Sequence, residues 1–217
     1  MTAARTELVL LDVNGTLTDP RAIGDVWQRP ELGEMALERA VATAMTEALL
    51  GGMRHRFDEH LRAGLELLVA ERALDPALVD EALKAAAALP ARRGASAALA
   101  SLRERGIRLV ALTNSGMAAG ERTLEACGLI GCLERVLGTD AVATFKPHPA
   151  VYAYALEELR ADPARTVLIA THPWDLAGGA HAGIATAWVT HGARRWPAVL
   201  PPPALRAETL PELAALL

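Results

Sequence analysis

An α/β fold built on a parallel sheet is predicted by three features of this 217-residue chain. Short runs such as Leu8-Val9-Leu10-Leu11 and Val167-Leu168-Ile169-Ala170 are apolar throughout, as strands covered on both faces require. Helix-period stretches separate these runs, which is the alternation that crossover connections produce. Between the first run and the second lies a long interval, residues 19–89, with helical patterning and no convincing strand. The chain therefore divides into a core of residues 1–18 and 90–217 and a helical insertion of residues 19–89.

In chain order, the first strand is expected at 8–12. The insertion follows, with Leu37, Val41, Ala44, Met45, Ala48 and Leu49 at helical spacing until Gly51-Gly52 ends the helix. Two more helices are expected at 56–73 and 76–88, the latter started by Asp75-Pro76. The core then resumes with a helix at 92–105, a strand at 107–112, a helix at 118–127 and a short strand near 133–137. A helix at 149–161, a strand at 166–170, a helix at 175–183 and a strand at 185–189 complete the alternation. Pro197 and Pro201-Pro202-Pro203 mark an irregular stretch, and Thr209-Leu210-Pro211-Glu212 reads as a capping box for a last short helix.

The first strand runs straight into Asp12-Val13-Asn14-Gly15-Thr16. Open α/β sheets place their chemistry at the C-terminal ends of strands, so Asp12 is a candidate nucleophile on a loop that Gly15 allows to turn sharply. The Thr16 hydroxyl can fix a carboxylate or a substrate oxygen nearby. Asp12, Asn14 and Asp19 are also common turn formers, and the segment alone leaves both readings open.

Three further segments stand out: Thr113-Asn114-Ser115 ends the second strand-like run, Phe145-Lys146-Pro147 opens a helix beginning near Pro149, and Thr171-His172-Pro173-Trp174-Asp175 follows the run Val167-Leu168-Ile169-Ala170. Taken in order with the Asp12 loop, they resemble the four motifs of the haloacid dehalogenase superfamily. The stretch from Lys146 to Tyr152 and the Trp174-Asp175 pair is similar to the type II 2-haloacid dehalogenases in particular. The resemblance implies a Rossmannoid parallel-sheet core with a helical cap inserted after the first strand. It also implies a hydrolase of the (S)-2-haloacid dehalogenase type, replacing the halogen on C2 of a short 2-haloalkanoic acid through an aspartyl ester.

On that resemblance Asp12 is the nucleophile and Lys146 the cation that keeps it ionised, with Asp175 orienting the lysine. Thr16, Thr113 and Asn114 position the carboxylates. Tyr152 is either a substrate contact or a core aromatic, and for Trp174 packing is a sufficient role beside the motif match. Arg39, with Arg29 as its alternative, stands nearest the family's halide-receiving arginine. His172 replaces the family's asparagine and could accept a proton from the hydrolytic water, or merely cap a loop. Ala170 replaces a serine.

Asn14 discriminates between chemistries. Phosphatases of this superfamily carry an aspartate two residues after the nucleophile to protonate the leaving oxygen, a task an amide cannot perform. A halide needs no proton. Many dehalogenases have a tyrosine at that position, so pocket shape differs here. The expectation is a reaction without cofactor or metal. The alternatives are a phosphatase with Mg²⁺ on Asp12 and Asp175, acting on a small phosphorylated metabolite, and a non-catalytic ligand-binding relative.

Composition narrows the partners. Net charge is −4, and the 22 basic residues are scattered among 26 acidic ones, with no cationic stripe for a nucleic acid. Of those 22 only Lys84 and Lys146 are lysines, which makes a lysine at the motif position notable. No apolar run approaches the roughly 20 residues of a membrane span, and Met1 to Glu7 leads into only four apolar residues, too few for a signal-peptide core. Cys127 and Cys132 form neither a CxxC pair nor a disulfide framework. His55, His60, His148, His181 and His191 lack the spacing of a zinc site. The expected setting is the cytoplasm, and the expected partner is a small-molecule substrate, with a monomer or a homodimer both compatible.

Overall fold

The computed structural model describes residues 5–192 and 195–217. Residues 1–4, part of the N-terminal stretch considered above, lie outside the described residues, as do residues 193–194.

Six parallel strands form one sheet: β1 (Leu8–Leu11), β2 (Arg108–Thr113), β3 (Arg135–Gly138), β4 (Thr166–Ala170), β5 (Ala185–Val189) and β6 (Leu205–Ala207), in the order β3-β2-β1-β4-β5-β6. The central strand pairs on both sides, with Leu8 opposite Arg108 and Thr166. Alternation along a strand sends successive side chains to opposite faces. Val9 and Leu11 accordingly pack with Leu99, Leu102, Leu210 and Leu213, from α5 (Ala95–Glu104) and α9 (Leu210–Leu216). Leu8 and Leu10 pack with Val151, Tyr152, Ala155 and Leu176, from α7 (Pro149–Glu158) and α8 (Pro173–His181). All four β1 side chains are at most 2% exposed. Each contributes on the order of 1.5–3 kcal/mol of burial, which anchors the strand that carries Asp12.

The other α-helices among the described residues are α1 (Arg21–Asp25), α2 (Glu31–Leu49), α3 (Phe57–Arg72), α4 (Val79–Ala87) and α6 (Met117–Ala126). Helices α1 to α4 pack around an apolar core of their own, including Ile23, Leu37, Ala40, Ala44, Leu61, Leu65 and Leu68. Two residues from outside the insertion join it: Phe145, fully buried, from the segment before α7, and Trp174 of α8, partly buried. Two linkers lie side by side where the chain leaves and re-enters the sheet. Asp19 N donates to Pro90 O, Arg92 N donates to Leu17 O, and Thr18 bridges to Ala91. The Arg92 side chain, 9% exposed, ties these linkers to α2 through Asp19 at 3.2 Å and Glu34 at 3.4 Å.

Most elements fall where the periodicity predicts them, with ends shifted by a few residues. The helix expected from residue 92 begins at Ala95, and the one expected to reach 161 ends at Glu158. Helix α1 and strand β6 were not anticipated. Helix α1 has only five residues, too few for a periodic signal. Strand β6 has three residues, none buried, and follows the proline-rich stretch; its pairing with β5 makes it a strand. The Thr209–Glu212 capping box is present, with Thr209 Oγ1 accepting from Glu212 N.

Candidate active site

Strand β1 delivers Asp12 to the sheet's C-terminal edge, where its backbone N–H donates to Ile169 O of β4. The loop folds back at once, because Leu17 N and Thr18 N both donate to Val13 O. Gly15 stands at φ +89°, and a Cβ there would meet His172 Cε1 at 2.9 Å, so glycine serves both the turn and the close approach of the imidazole.

Asp12 is 5% exposed, and both of its oxygens are held. Oδ1 accepts from Lys146 Nζ at 2.7 Å. Oδ2 accepts from Thr16 Oγ1 at 2.6 Å and faces His172 Nδ1 at 3.1 Å. Thr16 Oγ1 in turn accepts from Thr171 N at 2.9 Å, which fixes its single proton on Asp12. Thr16 is fully buried, with its hydroxyl donating to the Asp12 carboxylate, the first of its two expected roles.

Lys146 is fully buried, a position an ammonium tolerates only when every proton is taken. Its three acceptors are Asp12 Oδ1, Asp175 Oδ2 at 2.7 Å and Leu112 O at 3.0 Å. Its backbone is placed by Asn114, whose Oδ1 accepts from Lys146 N at 2.8 Å. Asp175, in the first turn of α8, is also fully buried. Its Oδ1 accepts from Tyr152 Oη at 2.6 Å. Tyr152 is fully buried beneath the site, and Gly178 makes room for it, since a Cβ there would lie 2.5 Å from its hydroxyl. Tyr152 thus bonds Asp175 and is absent from the cavity lining, which fits the core-aromatic one of its two expected readings.

Burial by itself would raise the pKa of Asp12, but the Lys146 ammonium and the His172 ring outweigh it and hold the carboxyl well below the usual range. For Asp175 burial wins, helped by the charge of Asp12, and its pKa is pushed up despite Lys146 and Tyr152. Burial would lower Lys146; Asp12 and Asp175 together raise it instead. Lysine therefore stays charged and Asp12 stays ionised.

A small cavity opens on Asp12. Its walls are Asn14, Thr113, Asn114, His172 and Trp174 from the core side and Leu37, Val41 and Phe57 from α2 and α3. Trp174 stacks on His172, with ring centroids 5.1 Å apart and 25° between planes, and its ring lies 5.9 Å from Lys146 Nζ. Asn14 Oδ1 is buried without a hydrogen-bond partner. Thr113 turns its hydroxyl to the backbone, accepting from Ser115 N at 3.1 Å.

Neither expected arginine comes here. Arg39 makes a two-pronged ion pair with Glu71 of α3, at 2.8 and 2.6 Å, and Arg29 pairs with Glu31. Both lie outside the residues lining the cavity. On a two-sided helix the register that buries Leu37, Ala40 and Val41 turns position 39 outward. The basic side chains in contact with Asp12 are Lys146 and His172. Sequence reasoning also passed over Leu37, Val41 and Phe57 as cavity walls. Their helical spacing is visible, but it does not distinguish a pocket wall from a core contact. Arg92, which locks the linkers, carried no motif.

Among the described residues no group of three or more His, Cys, Asp and Glu side chains is placed to hold a metal ion. His55 and His60 instead share Glu47, at 2.7 and 3.2 Å, and His60 meets Phe145 edge-on. Cys127 and Cys132 are free thiols. Among the described residues no helix is long and apolar enough to cross a membrane.

The family model of haloacid dehalogenase-like hydrolases matches residues 6–183. Haloacetate dehalogenase H-2 of Moraxella sp. (strain B) is 25% identical over 195 residues, covering 84% of this chain and 85% of that protein. A phosphoglycolate phosphatase of Rhodospirillum rubrum is 31% identical over 157 residues, covering 72% of this chain but 61% of the phosphatase. The L-2-haloacid dehalogenase of Xanthobacter autotrophicus, solved with chloropropionic acid covalently bound, superposes with a TM-score of 0.87 at 20% identity, covering 97% of this chain and 98% of that one.

Proposed function

Since the chain belongs to the haloacid dehalogenase-like hydrolases, we propose that it is a hydrolytic 2-haloacid dehalogenase acting through Asp12, with the helices of residues 19–89 as its cap. One observation carries the choice within the family: Asp12 is the only carboxylate among the residues lining the cavity it faces, and position 14 contributes an amide. A phosphate ester needs a proton donor for its leaving oxygen, and this cavity offers no carboxylic acid for that; a halide leaves as an anion.

In the first half-reaction the Asp12 carboxylate attacks C2, a C–O bond forms in line, and halide departs with its electron pair. The low pKa of Asp12 keeps it ionised, and the apolar roof of Leu37, Val41 and Phe57 excludes the water that would compete. In the second, water attacks the carboxyl carbon of the ester and gives a proton to His172, whose Nδ1 stands 3.1 Å from Asp12 Oδ2. Negative charge that develops on Oδ1 is met by Lys146. The ester oxygen leaves with C2, takes up the proton, and the product is a 2-hydroxy acid.

The reading includes independence from metal. A magnesium ion on Asp12 and Asp175 would have to displace the donors that already engage all four oxygens: Lys146, Thr16, His172 and Tyr152. That set does not fit a divalent cation. The similarity to phosphoglycolate phosphatase keeps phosphoryl transfer as the rival to be tested. Halide release from 2-chloropropanoate, measured beside phosphate release from phosphoglycolate with and without Mg²⁺, decides between them. We expect halide release that chelation leaves intact; phosphate release that requires Mg²⁺, without any halide, overturns the proposal.

A further inference from the structure

The turn that carries Asp12 is gripped from behind by a residue that belongs to no motif. His191 Nε2 stands 2.9 Å from the carbonyl oxygen of Thr16, 175 residues away in sequence. A carbonyl oxygen can only accept, so the ring carries a proton on Nε2 and donates it. His191 follows β5 and lies beyond residues 6–183, the stretch that the family model matches. Its backbone adopts φ +48°, a left-handed conformation uncommon for a residue with a Cβ. That backbone is anchored to the sheet's edge: Thr190 N donates to Ala207 O and His191 N to Glu208 O, both at 3.0 Å. Glu208 is held in turn by the start of α9, since its N–H donates to Glu212 Oε2 at 3.1 Å. The preceding carbonyl of the turn, Gly15 O, accepts from Arg92 Nε at 3.4 Å. Successive carbonyls of the turn are therefore held by side chains from two other parts of the chain.

Thr16 is the residue through which such a grip reaches the chemistry. Its hydroxyl donates to Asp12 Oδ2 at 2.6 Å while Lys146 donates to Oδ1, and the two donors together fix the plane of the carboxylate. A movement of the Thr16 main chain carries the hydroxyl with it and turns the oxygen that must meet C2 in line with the departing halide. Neither Thr16 nor His191 is among the residues lining the cavity at Asp12, so the grip acts on the nucleophile and leaves the walls that hold a substrate alone. We propose that His191 is a positioning residue: by holding the Thr16 carbonyl it sets the direction from which the Asp12 carboxylate attacks. The proposal rests on the reading of Asp12 as the nucleophile. A misplacement of about 1 Å at a reacting atom can cost on the order of a hundredfold in rate, so the loss of one such hold is measurable.

Two substitutions in the full chain test it. His191→Asn suits the left-handed backbone, but its shorter amide falls short of Thr16 O. His191→Gln carries an amide N–H to nearly the place of Nε2. In steady-state halide release from 2-chloropropanoate, we expect His191→Asn to lower kcat roughly tenfold or more with KM within about twofold of wild type, and His191→Gln to recover kcat to within about threefold. A crystal structure of His191→Asn should show Thr16 Oγ1 drawn away from Asp12 Oδ2. Wild-type kcat in His191→Asn overturns the proposal, as does a rise in KM at unchanged kcat, or an equal fall in both variants. Should the wild-type chain release phosphate from phosphoglycolate and no halide, the dehalogenase reading fails by itself; the same comparison of kcat and KM, made on phosphate release, then decides the role of His191. Should it release neither, the crystal structure decides: Thr16 and Asp12 unmoved in His191→Asn would leave the histidine a mere partner of a loop carbonyl.

Discussion

Lys146 Nζ and Asp12 Oδ1 meet at 2.7 Å across 134 residues of sequence, and the contact is sealed from solvent. The lysine's other two protons go to Asp175 and Leu112 O, so one ammonium serves two carboxylates and a strand end. The arrangement carries a net negative charge, and the electrostatics of the site follow from it. Lys146 and His172 hold the pKa of Asp12 down, while burial and the charge of Asp12 raise that of Asp175 against Lys146 and Tyr152.

Lys146→Met should therefore be costly twice over. Removing the cation leaves two carboxylates buried without compensation, a loss of about 3–5 kcal/mol in unfolding free energy. Urea denaturation at neutral pH measures it. Halide release by whatever variant protein remains folded should fall to background, because Asp12 loses the charge that keeps it ionised.

Tyr152→Phe isolates the orienting role. The buried Asp175 Oδ1 loses its donor, which costs about 1–3 kcal/mol of stability. Because the Tyr152 hydrogen bond lowers the pKa of Asp175, its loss raises that pKa further. The acid limb of the kcat profile should move to higher pH while KM changes little. A large rise in KM would instead place Tyr152 in contact with substrate.

Arg39→Ala should leave kcat/KM within about twofold of wild type, since its guanidinium is spent on an exposed pair with Glu71. A substantial fall in kcat/KM with halide affinity lost would return the arginine to the mechanism.

His172→Ala should separate the half-reactions. The carboxylate still attacks, but its ester is opened slowly, so mass spectrometry after brief exposure to a 2-haloacid should find added mass on the peptide carrying Asp12. Asp12→Asn should show no adduct. Wild-type turnover by His172→Ala without a trapped ester would leave the histidine as a packing partner of Trp174.

The pH dependence of stability has a definite sign. The pKa of Asp12 is depressed, so its stabilisation is present above the ordinary value of 3.8 and is lost as pH falls through the lower folded value. The pKa of Lys146 is raised, so its share is present below 10.5 and lost as pH rises through the higher folded value. Asp175, with its pKa pushed up, works the other way and costs stability above 3.8. The stability advantage that wild type draws from the Asp12 carboxylate over Asp12→Asn should be present above pH 3.8 and shrink as pH falls below it. Urea titrations across pH check it.

What the sequence determined by itself is the alternation of apolar runs and helical stretches, and with it the sheet, the strand ends after which Asp12, Asn114 and Asp175 would stand, and the helix start that carries Lys146. These are local matters: an all-apolar run of four is a buried strand wherever it lies, and a carboxylate placed just after it emerges at the sheet's edge. Strand β6 and helix α1 were not legible because each is too short to show a period and depends on its neighbours. The roles of single side chains were decided by tertiary structure. Tyr152 lies one helical turn from Pro149 and could have faced the substrate, but packing of α7 against α8 turns its hydroxyl onto Asp175. Arg39 sits on a helix whose buried face is set by Leu37 and Val41, and Glu71 on the neighbouring helix takes its charge. The cavity between Asp12 and Phe57 exists only because two separately packed units, each satisfying its own periodicity, meet without filling the space between them. Periodicity states which residues leave water; it does not state which of them leave room for a ligand, since that depends on distances between elements far apart in the chain.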